Sequence, residues 1–437
     1  MGAMSKEIPS DKFIIKGLSD KRKLKGIVKI GGAKNAVLKI MAASILFKDR
    51  LTIKNVPQVE DVFRMIELLE DLGAEVKRVG ENTLKISTKG INKTSLNGKI
   101  AKRMRASIVL TGPILARFGE VHFSRPGGCT IAERPIGIFL NGFRGMGAKD
   151  TRDKKGTYHL KARGGKLKAK STFFNKPSVT ATETFLMTAV LAKGKTILKN
   201  VALEPEIESL ANFLVKCGAK IKGIGSTTLE INGGGMLQTK GKSYEVIPDR
   251  ITTGSYLILG ALASNNLKIE NCQPKHIEAL VSSLRFSGVK MRIGKDWIKV
   301  LDNSKSKFKP LEIKTHEYPG FATDLQAPMT VFLTQVRGES TIFETIFENR
   351  FGYTEELNRM GAKIKTWNPQ KISIDGPTKL KKRVLYGPDL RAGLAYIIAG
   401  IIAKGDSTIE NAYYIDRGYE KIEEKLSSIG VNIKRIK

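Results

Sequence analysis

Cys129 sits in the segment Ser124-Arg125-Pro126-Gly127-Gly128-Cys129-Thr130-Ile131-Ala132-Glu133-Arg134-Pro135, a glycine- and proline-containing turn with an arginine on either side of the thiol. Cationic neighbours lower a thiol's pKa and raise its thiolate fraction, so a cysteine in this setting reads as reactive. The other two cysteines, Cys217 and Cys272, lie beside apolar runs and read as small core residues.

A second set of chemically capable residues recurs at a near-constant period. Lys34, Arg105, Lys176, Arg250, Asp324 and Arg391 lie 67 to 74 residues apart, each at the start of a segment predicted to be a buried helix. Arg134, Arg350 and Arg417 are placed in the same way before amphipathic segments. A helix N-terminus already carries partial positive charge and free N–H groups, so cations there cost stability unless an anion sits among them. Their recurrence predicts an anion-binding surface of helix ends facing a cleft between two halves of the chain.

The elements that must position these residues also repeat. Gly73, Gly147, Gly218, Gly288, Gly361 and Gly430 each close an amphipathic helix and open a strand, at spacings of 69 to 74 residues. A glycine there suits a helix C-cap in the left-handed region. The amphipathic helices bury one face, as with Val62, Ile66, Leu69 and Leu72. Between them run segments that are apolar nearly all round, such as 36–45 and 392–399, which predicts central helices. Short alternating strands such as Leu51-Thr52-Ile53-Lys54 complete each unit. At 437 residues two domains of three repeats are expected, each an α/β domain with sheets outside a helical core.

Composition narrows the partners. Lys plus Arg number 75 against 42 Asp plus Glu, a net charge of +33, which favours anionic partners. The densest basic stretch, Lys149 to Lys170, alternates charged and apolar residues without the aromatic interleaving suited to base stacking. That is the pattern of half-exposed strands with a wet lysine face, and no nucleic-acid partner is expected. No apolar stretch reaches membrane-spanning length, no signal-peptide core follows Met1, and the three unpaired cysteines suit a reducing cytoplasm. His122, His159, His276 and His316 show no metal-ligand spacing, so neither a metal nor another cofactor is expected. Gly194-Lys195-Thr196 ends like a P-loop but follows a predicted helix and is rejected.

The Cys129 segment, Gly32-Ala33-Lys34-Asn35-Ala36, Met104-Arg105-Ala106-Ser107, Phe347-Glu348-Asn349-Arg350-Phe351, Asp389-Leu390-Arg391-Ala392 and Asp416-Arg417-Gly418-Tyr419-Glu420 together resemble the UDP-N-acetylglucosamine enolpyruvyl transferases of the EPSP synthase superfamily. The resemblance covers nearly the whole chain. It implies an α/β fold of two inside-out α/β barrel domains, built from six βαβαββ-type repeats, three per domain. The N-terminal strand would join the C-terminal domain, giving lobes of 34–245 and of 1–33 plus 246–437.

The implied reaction moves the enolpyruvyl group of phosphoenolpyruvate to the 3′-hydroxyl of UDP-N-acetylglucosamine by addition and elimination, releasing phosphate in the first committed step of peptidoglycan synthesis. By resemblance Cys129 is the general acid and the target of fosfomycin. Asp324 takes the hydroxyl proton, and Asp389 assists proton transfer. Lys34, Arg134 and Arg417 hold the phosphate, Arg350 and Arg391 hold the carboxylate, and Asn35 lies beside phosphoenolpyruvate. Arg105, Arg134, Pro135, Ile136, Gly137, Ile138, Lys176, Pro177, Ser178, Val179, Asp324 and Ile346 match positions that contact the nucleotide sugar. Gly137 and Phe139 stand where many members carry Asp and His, and Ala322 replaces a usual proline. The sister enzyme acting on shikimate 3-phosphate is the alternative within the superfamily, and a basic nucleic-acid-binding repeat protein is the alternative outside it. A cytoplasmic monomer acting on two small molecules is the expectation.

Overall fold

The computed structural model describes residues 11–127, 135–154 and 156–437. These divide into two compact units, one formed by 32–127 and 135–247 and the other by 11–31 and 248–437.

Three central helices lie in each unit. In the first they are α1 (Lys34–Ala43), α2 (Thr111–Phe118) and α3 (Val179–Leu191). In the second they are α4 (Arg250–Ala263), α5 (Gln326–Leu333) and α6 (Leu390–Ile402). Every residue of α6 is buried, as expected of a helix with no polar face. Removing Leu394, Ile397, Ile398 and Ile401 from water contributes on the order of 1.5–3 kcal/mol each.

Amphipathic helices flank this core, for example Glu60–Asp71, Pro205–Lys216 and Glu278–Ser287. The six closing glycines all have positive φ, from 92° at Gly147 to 105° at Gly218 and Gly361. The predicted left-handed caps are therefore present in all six repeats.

Among the described residues the strands form three sheets in each unit. Five of the six sheets have four strands in one arrangement, a parallel pair extended by two antiparallel strands. The N-terminal strand Lys12–Lys16 lies inside a sheet of the second unit, antiparallel to both Asp406–Glu410 and Asn432–Ile436. The sixth sheet has three strands, Glu120–Phe123, Tyr158–Ala162 and Ala148–Arg152, and its parallel partner is reduced to a single bridge between Ser95 and His122.

These sheets correct the barrel expectation. They are separate and open, and each ends on strands with only one hydrogen-bonded neighbour. Closure into a barrel needs one continuous ladder around the ring, with stagger and tilt matched to strand number. Here every ladder stops after three or four strands, and helices fill the space between sheets. The fold is α/β, two similar units of mixed sheets packed on helices.

The basic stretch from Lys149 behaves as its alternation predicts. Lys149, Lys161, Lys166 and Lys168 are exposed, whereas Leu160, Ala162 and Leu167 are buried. Among the described residues no helix is long and apolar enough to cross a membrane.

Candidate active site

A buried charged cluster of the second unit forms where α5 and α6 begin. Asp324 lies in the 3-10 turn Thr323–Leu325 that leads into α5. Arg391 is the second residue of α6, held there by Asp389, whose Oδ1 accepts from the N–H groups of Arg391 at 2.7 Å and Ala392 at 3.1 Å. This N-cap fixes the helix start, and the same Pro-Asp device recurs at Asp249 before α4.

Asp324 is clasped by two guanidinium groups. Arg350 Nη2 donates to Oδ1 at 2.8 Å, and Arg391 Nη2 and Nε donate to Oδ2 at 2.8 and 3.1 Å. Arg350 and Arg391 are 7% and 3% exposed, while the Asp324 side chain is 24% exposed. The carboxylate is thus the accessible end of a buried cationic pair. Burial works against the charge on Arg391, yet Asp324 and Tyr419 more than offset it and raise its pKa above the ordinary guanidinium range.

Tyr419 supports the cluster from a third element. Its hydroxyl accepts from Arg391 Nη1 at 2.9 Å, and the guanidinium lies 5.5 Å from the ring centroid. Arg417, 7% exposed, caps the C-terminus of the helix Ala412–Asp416. A Cβ on the intervening Gly418 would stand 3.8 Å from Arg391 Nη1, so this segment runs directly against Arg391.

Beneath the cluster lies Glu344, which sequence reasoning missed. It is fully buried, and its Oε1 accepts from Thr315 Oγ1 at 2.9 Å and from the N–H groups of Ile346 at 2.8 Å and Phe347 at 3.2 Å. Its Oε2 accepts from Thr323 Oγ1 at 2.7 Å and Gln326 Nε2 at 3.3 Å. Thr323 Oγ1 in turn accepts from Arg350 Nη1. One carboxylate therefore ties the turn holding Asp324 to the backbone at Ile346. The available signal was an acidic residue ending an alternating strand, two positions before Ile346.

In the first unit, Lys34 opens α1 with its Nζ 3.5 Å from Asp61 Oδ2, and its side chain is 12% exposed. Asn35 follows and is half-buried. Arg105 starts the 3-10 helix Arg105–Leu110 that leads into α2. Ser178 caps α3, its Oγ accepting from Ala181 N–H at 3.3 Å. Lys176 is exposed, with Pro177 and Val179 half-buried beside it. Pro135 is exposed, Ile136 is buried, and Gly137 and Ile138 open the helix Gly137–Gly145. Phe139 is a core residue, stacked at 6.4 Å on Phe185 of α3. A Cβ on Gly137 would meet nothing within 4 Å.

Some placements differ from the sequence reading. Lys176 precedes its helix by three residues, Arg350 lies in a turn before Thr354–Arg359, and Arg417 ends a helix instead of starting one. Two of the cations that stand in first turns meet carboxylates of the chain itself, Asp61 for Lys34 and Asp324 for Arg391, and Arg250 at the start of α4 lies 5.7 Å from the Tyr318 ring centroid. Cys129 and Arg134 lie outside the described residues. Cys217 and Cys272 are free and buried. Burial raises both thiols, Cys272 to about 11, which makes them poor nucleophiles at neutral pH.

Comparison with known proteins adds a second line of observation. The family model for EPSP synthase (3-phosphoshikimate 1-carboxyvinyltransferase) matches residues 18–426. A UDP-N-acetylglucosamine 1-carboxyvinyltransferase of Koribacter versatilis is 42% identical over 430 residues, 98% of this chain and 96% of that protein. One from Shewanella piezotolerans is 44% identical over 415 residues, 95% of this chain and 97% of the relative. Among solved structures, the enolpyruvyl transferase NikO from Streptomyces tendae superposes with a TM-score of 0.86 at 22% identity, covering 98% of this chain and 99% of its own. EPSP synthase from Acinetobacter baumannii gives 0.73 at 17% identity, with 98% and 100% covered. These two structures share the fold.

Proposed function

The chain belongs to the EPSP synthase family and, within it, to the UDP-N-acetylglucosamine 1-carboxyvinyltransferases, and from this we infer that it transfers the enolpyruvyl group of phosphoenolpyruvate to the 3′-hydroxyl of UDP-N-acetylglucosamine with release of phosphate. The observation that carries the reading at the level of residues is the Arg350–Asp324–Arg391 cluster, two buried guanidinium groups on a partly exposed carboxylate. Two planar guanidinium groups suit a substrate carboxylate, which they bind bidentately. The carboxylate between them is a proton acceptor for a hydroxyl group.

In the proposed allotment, Arg350 and Arg391 bind the phosphoenolpyruvate carboxylate, with Asn35 beside it, and Lys34, Arg134 and Arg417 bind its phosphate. Cys129 delivers a proton to C3 while Asp324 removes one from the attacking hydroxyl, whose oxygen bonds to C2. The tetrahedral intermediate then expels phosphate from C2 and loses a proton from C3, which restores the double bond. Positive character develops at C2 between two anionic groups, so placement of charge governs the rate. Asp389 acts beside this chemistry while capping α6. Arg105, Arg134 to Ile138, Lys176 to Val179, Asp324 and Ile346 bind the nucleotide sugar. The lobe of 34–245 carries the Cys129 segment and most sugar contacts, and that of 1–33 plus 246–437 carries Asp324, Arg350, Arg391 and Arg417. The enzyme acts as a cytoplasmic monomer on these two small molecules, without a nucleic-acid or membrane partner.

Phosphate release from phosphoenolpyruvate tests the reading. It is expected with UDP-N-acetylglucosamine, and neither shikimate 3-phosphate nor omission of the acceptor should support it. Equal or faster release with shikimate 3-phosphate would overturn the assignment.

A further inference from the structure

His122 and His159 are distant in sequence but directly opposite each other in the antiparallel pairing of Glu120–Phe123 with Tyr158–Ala162. Residues two apart on a strand point to the same face, so Glu120 joins them. The imidazole rings stack with centroids 3.9 Å apart and planes 11° from parallel. His159 Nε2 lies 3.6 Å from Glu120 Oε2, and one ligand atom from each of the three residues falls within 4.8 Å of the other two. We propose that this face binds one divalent transition-metal ion of the zinc, nickel or copper class through His122, His159 and Glu120.

The donor chemistry selects the class. Two imidazoles and one carboxylate suit these borderline metals, whereas magnesium and calcium prefer sites made of oxygen. Ligand atoms about 2.0–2.1 Å from a tetrahedral ion stand roughly 3.4 Å apart, close to the His159–Glu120 separation. The wider spacings close by side-chain rotation, which the partial exposure of all three residues permits.

An unsatisfied atom points the same way. His159 Nε2 is shielded from solvent and makes no hydrogen bond. A bound cation would complete its coordination. Asp153 adds a favourable negative charge nearby. Lys161, paired opposite Glu120, and Lys149, paired opposite Lys161, oppose a cation on this face. With a net charge of +33, the chain also repels cations at long range, so binding here must come from direct coordination.

Such an ion would clip two strands of the only sheet, among the described residues, whose fourth member is a single bridge. One of those strands, Glu120–Phe123, leads in sequence to the Cys129 segment. None of the three residues is among those assigned to the transferase reaction.

The test is titration of tag-free full-length protein with Zn2+ and Ni2+ against a chromophoric chelator at pH 7.5, with Mg2+ as control. One Zn2+ per chain is expected, with at least a tenfold loss of affinity in His159→Asn or His122→Asn and loss of the metal-induced rise in Tm. Both variants should keep wild-type phosphate release, which shows that they fold. Three outcomes would each overturn the proposal: no Zn2+ bound by the wild type, unchanged binding in the two variants, or effective competition by Mg2+.

Discussion

Arg391 holds its charge at 3% exposure because Asp324 accepts two of its N–H groups and Tyr419 a third. Truncation would take both Arg391 donors from Asp324 Oδ2 and one from the Tyr419 hydroxyl, and would remove the planar fork. Arg391→Ala is expected to slow turnover by on the order of 100-fold or more, and Arg391→Lys to recover little, because a point charge cannot reproduce a bidentate contact. Steady-state phosphate release measures both, and near-wild-type turnover in the lysine variant would refute the geometric argument. In the first unit a different buried charge governs pH dependence. Glu183 is fully buried on α3, 3.2 Å from Lys39 Nζ, and burial pushes its pKa up to about 8 despite that cation. The native state keeps the proton up to about pH 8, whereas the unfolded chain releases it near its ordinary value of 4.5. Stability therefore falls as pH rises between those values, and below the lower one the dependence vanishes. Relative to Glu183→Gln, wild type should lose on the order of a few kcal/mol between pH 5 and pH 8, read from urea unfolding. A constant difference across that range would show that Glu183 stays ionised.

Two of the closing glycines separate backbone strain from crowding. Gly218 and Gly73 have nearly equal φ, 105° and 102°. A Cβ on Gly218 meets nothing within 4 Å, but one on Gly73 would lie 2.5 Å from the Gly90 carbonyl oxygen. Gly218→Ala should cost about 1–2 kcal/mol, the penalty of a left-handed conformation for an L-residue. Gly73→Ala should cost more, because the backbone of the facing turn must also move. Thermal unfolding of the two variants gives the order, and a reversal would count against local crowding as the added cost. The caps matter because each glycine turns the chain from helix into strand, setting where the next sheet begins.

Chain connectivity predicts how the molecule divides. One hydrophobic core is made entirely from residues between Ala33 and Val246. The other joins Phe13, Ile15, Leu24, Val28 and Ile30 to residues from Ile251 to Ile433. A fragment of 32–247 is therefore expected to fold, whereas 248–437 alone lacks one strand inside a sheet and another at a sheet edge. Because Lys12 pairs with Ile436, a short turn could join the C-terminus to residue 11. The permuted fragment 248–437 followed by 11–31 should regain cooperative urea unfolding, and 248–437 by itself should not. Cooperative unfolding of the unsupplemented fragment would refute the argument.

Patterns short enough to be read along the chain were legible without coordinates. The apolar central helices, the six glycine caps, the wet lysine strands and the buried Cys217 and Cys272 all follow from local period and composition, since burial selects residues at the spacing of each element. The starts of α5 and α6 were visible as recurring charged positions, but the clasp of Arg350 and Arg391 on Asp324 was not. Charge pairing across elements depends on how helix ends meet, and no local period encodes that meeting. The same holds for Glu344 beneath the cluster, for Lys39 beside Glu183, and for the face shared by His122 and His159, which strand register alone creates. Open sheets in place of closed barrels were likewise a tertiary outcome, because alternation along a strand specifies its buried face and leaves its edge neighbours undetermined.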